Sequence, residues 1–508
     1  MVTNTAQKGC LMHSKKRMFG CAAVLLILLV LLPAFFSADA REGQKAKISP
    51  GLAKELSAAK PDDFVTAIVR MSDRADIRAF SGNRQAVFSE LRRTSGRSQE
   101  AMVRFLEGPD SRAHVRLFKR FWLDNIVLVR AKPHVISRLA ERPDVEEVFE
   151  NFTVTLPPRQ ENPDRTDLDL AQTQLWDSID KIGAKQVWTS YGISGSGVVI
   201  GGIDTGVDIT HPDISGKMVT TDPVDLTYPG GWAEFDAEGN MVSGSVPHDT
   251  DGHGMHTSGT MIGGNASGFD IGVAPGAQLM HALVLPGGTG TFAQVTGGME
   301  WIIDPDDNPA TDDGCRVVNM SLGASGTYTA MIAPVDNMIA ANVFPAISIG
   351  NSGPGSGTTG SPGNVPSAFG VGYTDSMDVI ANLSSRGPVT WDYPPYVGTY
   401  IKPDITSPGV KIYSSVPGAT WEWHGVGWDW SGTSMAAPHT AGTAALMFQA
   451  NPMLDVELAK QLIALTAIDL GVPGKDNTYG WGRINAFSAV GATLSGVGTV
   501  EGTVYSSA

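Results

Sequence analysis

From about residue 175 to 490 the chain alternates short apolar runs with helix-length stretches. The runs are "GVVIGGID", "AQLMHALVL", "CRVVNMSLG" and "VFPAISIGN". Each is nearly continuous in hydrophobic residues and is bounded by glycine or polar positions. Strands covered by helices on both faces carry this pattern, because neither face meets water. The runs predict an α/β domain with a mainly parallel central sheet. Sites in such sheets form just past the carboxyl ends of the strands. Asp204, Ser321 and Asn351 fall at those ends.

Residues 41 to about 160 follow a different pattern, richer in arginine and poorer in glycine. "DFVTAIVRM" reads as a strand. "RQAVFSELRRTSGRSQEAMVRFLEG" has apolar residues at helical spacing and ends on Gly108. "HVRLFKRFWLDNIVLVRA" reads as one further strand, and "PHVISRLAERPDVEEVFENFTVTL" as a short helix and a strand. The order β-α-β-α-β predicts a small α+β domain. "TLPPRQENPDRTD" after it is polar and proline-bearing, which suits an exposed linker. Residues 491–508 read as a tail or as the start of a further β module.

The N-terminal pattern belongs to targeting. Lys15, Lys16 and Arg17 precede the apolar run Cys21 to Phe36, and Ala38 and Ala40 close it. A basic region, an apolar region and an A-x-A exit describe a signal peptide over residues 1–40. The rival, an uncleaved anchor, is disfavoured by the short run and by Pro33 within it. No other segment is long and apolar enough to span a bilayer. The expected product is secreted: extracellular, at the cell surface, or periplasmic. Once the signal is removed, Cys315 is the one cysteine left, expected as a core thiol without a disulfide partner. The chain has 508 residues, with 52 Asp+Glu against 37 Lys+Arg, and a formal charge of -15. That balance argues against general nucleic-acid binding, which needs a basic face.

Candidate chemistry concentrates in "PHDTDGHGMHTSG", residues 247–259. His248, His253 and His256 alternate there with Asp249 and Asp251, the residue types of a metal site. The H-E-x-x-H spacing of a zinc hydrolase is absent, because His253 and His256 are three apart with no glutamate between them. Three other segments favour a nucleophilic hydrolase. Asp204 ends "VVIGGID", Asn351 follows "ISIG", and Ser434 opens the small-residue helix of "SGTSMAAPHTAGTAALM". A serine, a histidine, an aspartate and an amide on separate loops are the parts needed for acyl transfer.

"IDTGVD", "DGHGMHTSGT", "GNSG" and "GTSMAAPH" resemble the four signature segments of the subtilisin-like serine proteases, in that family's order. "IGVAPGAQL", "VVNMSLG" and "KPDITSPG" extend the similarity over about residues 175 to 490. The likeness is nearest to the bacillopeptidase F-like members, and the preceding region resembles the family's inhibitory propeptide. The resemblance implies a three-layer subtilisin-like catalytic domain over 161–490, preceded by a ferredoxin-like propeptide over 41–160.

By resemblance, Ser434 is the nucleophile, His253 the base and Asp204 its orienting carboxylate, with Asn351 the oxyanion donor. Gly288, Thr289 and Gly290 match the edge strand that pairs with an extended substrate; Ser321, Leu322 and Gly323 match the strand on its other side. Ser348, Ile349, Gly350 and Gly360 match the primary side-chain pocket, and Phe292 an aromatic lining further along. Protein substrates and the chain's own propeptide are the implied partners. No cofactor or metal is implied for the chemistry, and structural calcium is left open.

Two positions depart from the family pattern. Met255 stands where a small or β-branched residue is usual. In "GGNASGFDIGVAP", Asp213 matches a calcium ligand but Ala266 replaces an expected side-chain oxygen. The alternatives are a catalytically inactive binding protein of the same fold and a metal-dependent hydrolase. Trp421, Trp423, Trp428 and Trp430 stand shortly before Ser434 and read as packing or as a contact surface.

Overall fold

The computed structural model describes residues 47–161, 176–425 and 428–496. Residues 1–40, read as a signal segment, and residues 497–508 of the expected tail lie outside these residues; the first part of that tail, 491–494, instead closes the helix Ala486–Leu494. Seven strands form the central sheet, in the order Ile405–Pro408, Phe369–Thr374, Phe344–Ser348, Val317–Met320, Val199–Asp204, Gln278–Leu283 and Trp232–Glu234. Every neighbouring pair is parallel. The four apolar runs supply four of these strands. Phe369–Thr374 and Ile405–Pro408 are interrupted by glycine or polar residues, and Trp232–Glu234 is three residues long, so hydrophobicity alone passes over them.

Alternation along each strand divides the core in two. Ile200, Leu279, Val317 and Ala346 face one side, where Ala437, Ala441 and Leu446 of the helix Thr433–Ala450 cover them. Ile203, Met280, Val318 and Ile347 face the other, under Val295 and Met299 of the helix Phe292–Ile303. Helices on both faces of a parallel sheet give the three layers expected. Cys315 lies buried and free within the second core. Burial pushes its thiol up to about 12, so it stays protonated and inert.

The N-terminal lobe follows a short helix, Pro50–Ala58, capped by the Ser49 side chain. Its sheet has the order Val115–Phe121, Ile126–Ala131, Val65–Met71, Val145–Glu150 and is antiparallel. The helices Arg84–Glu107 and Pro133–Ala140 complete a β-α-β-β-α-β unit. The single strand expected at 115–131 is therefore a hairpin. Asn125 adopts φ 49 at its turn, a left-handed conformation that asparagine tolerates. No helix among the described residues is long and apolar enough to cross a membrane.

One face of the lobe is continuous with the second core. Phe88, Phe121, Leu123, Phe149, Phe152 and Val154 are buried in the same cluster as Phe292, Val295 and Met299. Burying each such large side chain favours docking by about 1.5–3 kcal/mol before ordering costs. The segment after the lobe is not a free linker up to residue 161. Thr153–Thr155 pairs antiparallel with Thr289–Thr291, and Gln160–Glu161 pairs with Trp428–Asp429. A linker pattern shows only polarity and proline; the pairing needs the distant strands.

Candidate active site

Strand Val199–Asp204 ends in the cleft and delivers Asp204, which is fully buried. Its Oδ1 accepts from the Thr205 amide (2.8 Å), and its Oδ2 from Thr257 Oγ1 (3.3 Å). The helix His253–Ile262 starts beside it, and His253 Nδ1 lies 2.7 Å from Asp204 Oδ1. That contact puts the proton on Nδ1 and leaves Nε2 as an acceptor. The two segments touch closely. A Cβ at position 254 would lie 2.2 Å from the Gly206 carbonyl oxygen, so this turn of helix needs glycine.

Asp249 holds the histidine loop. Its carboxylate accepts from Thr205 Oγ1 (2.8 Å) and from the amides of Asp251 (3.0 Å), Gly252 (2.9 Å) and Met255 (2.7 Å). It satisfies donors at the start of the His253 helix and ties them to the Asp204 turn. In the sequence Asp249 is one of two aspartates alternating with the histidines, with nothing specific to mark this role. Its signal was an acidic residue four positions before a helix start, which is common in loops without such a role.

Ser434 is the second residue of the helix Thr433–Ala450 and is 3% exposed. It is locked to the strand segment beside it. Ser321 Oγ donates to the Ser434 carbonyl (2.9 Å), and Ser434 Oγ donates to the Ser321 carbonyl (3.4 Å). Ser434 and His253 line one small pocket without a hydrogen bond between them. Asn351 stands opposite. Its Oδ1 accepts from the Thr433 amide (3.0 Å) and hydroxyl (2.8 Å), which turns its amide Nδ2 into the cleft. There Nδ2 donates to the Pro158 carbonyl (2.9 Å). A Cβ on Gly432 would lie 2.7 Å from that Nδ2, so the approach requires glycine before the helix.

The cleft holds the chain's own segment. The Leu156 amide donates to the Gly288 carbonyl (3.0 Å), and Thr155 exchanges two backbone bonds with Gly323 (3.0 and 2.9 Å). With Thr289–Thr291, residues 153–156 become the middle strand between two edges. Leu322, Gly323, Ser348, Ile349, Gly350 and Gly360 line a cavity of about 50 Å³ beside Pro157 and Pro158. Ser321 lies behind this wall, on Ser434. Phe292 is buried and stacks on Phe152 (ring centroids 5.0 Å apart), under the preceding part of the same segment.

The remaining residues of the histidine run separate in space. His256 is buried, stacks on Trp430 (4.2 Å) and pairs with the Ile412 carbonyl (3.0 Å). Burial pushes its pKa down to about 3, so it is a neutral packing group. His248 is on the exposed side of the loop and contacts the Val246 carbonyl (2.8 Å). Met255 is fully buried in the first core, so its thioether chain is a packing group. The tryptophans divide as well. Trp423 and Trp430 are buried, and Trp421 donates its indole N–H to Asp213 (2.6 Å).

The Asp213 loop does not fit calcium. Asp213 already accepts from Trp421 and from the Ala266 amide (2.9 Å). The Lys217 ammonium donates to the Ile262 carbonyl (2.5 Å) and carries its charge near Asp213. The loop has a built-in cation and hydrogen-bond donors where a metal would need oxygens.

Residues 195–482 match the family model described as the subtilase family. Bacillopeptidase F of Bacillus subtilis is 33% identical over 490 residues, covering 92% of this chain but 31% of the relative. The chain thus spans about a third of that protein's length. Subtilisin DY of Bacillus licheniformis is 33% identical over 302 residues, 59% of this chain and 92% of its own. An alkaline protease of Alkalihalobacillus alcalophilus is 29% identical, over 77% of this chain and 89% of its own. With the parallel sheet and the clustered Asp204, His253, Asn351 and Ser434, these matches establish that the chain belongs to the subtilase family of S8 serine peptidases.

Proposed function

We infer that the protein is a secreted serine endopeptidase made as an autoprocessed zymogen. The observation that carries this reading is the Pro158 carbonyl on the Asn351 amide, in a cleft lined by His253 and Ser434. A peptide carbonyl is held there as a substrate's would be. Ser434 Oγ turns from the Ser321 carbonyl toward His253 Nε2 and attacks the carbonyl carbon. His253 takes the proton and returns it to the leaving amine. Asp204 keeps the tautomer and stabilises the imidazolium, and Asn351 donates to the oxyanion. Water then hydrolyses the acyl-enzyme by the same steps in reverse order.

The N-terminal lobe is the inhibitory propeptide in this reading. Its shared core with the helix Phe292–Ile303 and its strand in the cleft support that role. The bond processed is Pro158–Arg159. Substrates bind by adding a strand between Thr289–Thr291 and Gly323, which reads backbone and tolerates many side chains. No cofactor takes part in the chemistry. The signal-like residues 1–40 support export.

Two measurements test this. Ser434→Ala should accumulate as the uncleaved chain without peptidase turnover, and a fluorophosphonate probe should label the wild type but not the variant. Normal self-processing by Ser434→Ala would overturn the assignment. A processed wild type that resists the probe would favour the inactive-binder reading, with cleavage by another protease.

A further inference from the structure

The residue that follows the Pro158 carbonyl is held by contacts with no role in the reaction itself. The Arg159 guanidinium pairs with the Asp251 carboxylate. Its Cζ lies 4.4 Å from the ring centroid of Trp428 and 5.7 Å from that of Trp430. The next two residues pair in antiparallel fashion with Trp428–Asp429. The chain is thus gripped on both sides of one carbonyl, by the Gly288 and Gly323 edges before it and by this group after it.

The receiving residues are fixed independently of Arg159. The Asp251 amide is tied to Asp249 Oδ1 (3.0 Å), two positions before His253. Trp430 stacks on His256, and Trp428 meets Trp430 edge-on at 4.5 Å. A carboxylate on one side and indole faces on the other suit a flat cation. Guanidinium satisfies both at once, by a charge-assisted hydrogen bond and by stacking. An ammonium gains the charge term with a poorer stack, and a carboxylate is repelled.

We propose that Asp251, Trp428 and Trp430 form a leaving-group-side subsite that selects arginine, then lysine, immediately after the scissile bond. This deepens the peptidase reading and rests on it. The same subsite orients Arg159 for self-processing and afterwards discriminates among substrates.

The test uses the self-processed enzyme and internally quenched peptides that differ only at that residue: arginine, lysine, alanine or glutamate. The expected order of kcat/KM is Arg > Lys > Ala > Glu, with Arg over Ala by roughly tenfold or more. Asp251→Asn and, separately, Trp428→Ala should each shrink the Arg-to-Ala ratio several-fold. High salt should shrink it in the wild type as well, because the ion pair is partly exposed. That measurement holds even where a variant fails to fold. Brisk turnover of all four peptides at similar rates would overturn the subsite while leaving the peptidase assignment intact. Absence of turnover together with absence of fluorophosphonate labelling would overturn both.

Discussion

The side-chain amide of Asn351 donates to the backbone carbonyl of Pro158 across 2.9 Å. One residue stands in the catalytic domain, the other in the segment that follows the N-terminal lobe. The contact sets the carbonyl orientation, and the two strand edges set the register of the segment carrying it.

Cleavage is expected at that carbonyl. The fragment first released during maturation should end in Pro158 and its partner should begin with Arg159, as read by intact-mass spectrometry of an early time point. Leu156→Pro should slow the step, since it removes the amide that bonds the Gly288 carbonyl. A first cut elsewhere would show that the bound register is not the reactive one.

Replacing Asn351 by alanine should lower kcat far more than it changes KM. In subtilisin, loss of the oxyanion donor costs about 10²–10³ in kcat, and that scale is taken over from that enzyme. Steady-state kinetics on one peptide decides it; an equal loss in KM would assign Asn351 to ground-state binding.

Asp249→Ala removes the acceptor of four hydrogen bonds around the His253 helix. The expected outcome is a stability loss of about 2–4 kcal/mol, with lower kcat as His253 loses its fixed position. Asp249→Asn keeps one acceptor oxygen and should recover part of both. Urea midpoints and kcat, measured on the same preparations, check this; unchanged values for the alanine variant would refute the positioning role.

The lobe contact should depend on pH. Glu300 accepts from the backbone amides of Trp122 and Leu123 (the latter 2.7 Å) where the lobe docks. Burial raises its pKa from 4.5 to about 7, against the pull of those bonds and of Lys119 and Arg92. The folded chain therefore retains a proton that the unfolded chain has released. Glu300's contribution to stability is full below pH 4.5 and is lost as pH rises through 7. In the Ser434→Ala background, Tm should fall between pH 5 and 8, and Glu300→Gln should flatten that fall. Parallel curves for the two chains would exclude the effect.

Lys217→Met removes the internal cation beside Asp213. The unfolding free energy, read from urea denaturation, should drop by about 1.5–3 kcal/mol, for a lost hydrogen bond from a charged group. Added calcium should not restore it in full, because Trp421 and the Ala266 amide still occupy Asp213. Full rescue by calcium would show that the loop is a metal site after all.

Much of this was legible in the residues. Four apolar runs marked four strands of the central sheet, because a strand covered on both faces must be hydrophobic along its whole length. Asp204, His253, Asn351 and Ser434 stood at strand and helix ends, where such folds build sites, and motif order tied them together. Other features came only with the tertiary structure. The Asn125 turn splits one apolar-rich stretch into a hairpin through a single left-handed residue. Thr155 to Arg159 read as linker, since nothing local shows that Gly288, Gly323 and Trp428 lie alongside. Asp249 and Lys217 are ordinary loop residues until their partners, up to 45 positions away, are brought near. Local patterning determined which elements form, because period and burial are local properties. The partners of each polar group were decided by packing, because hydrogen bonds and ion pairs depend on distances that only the folded chain sets.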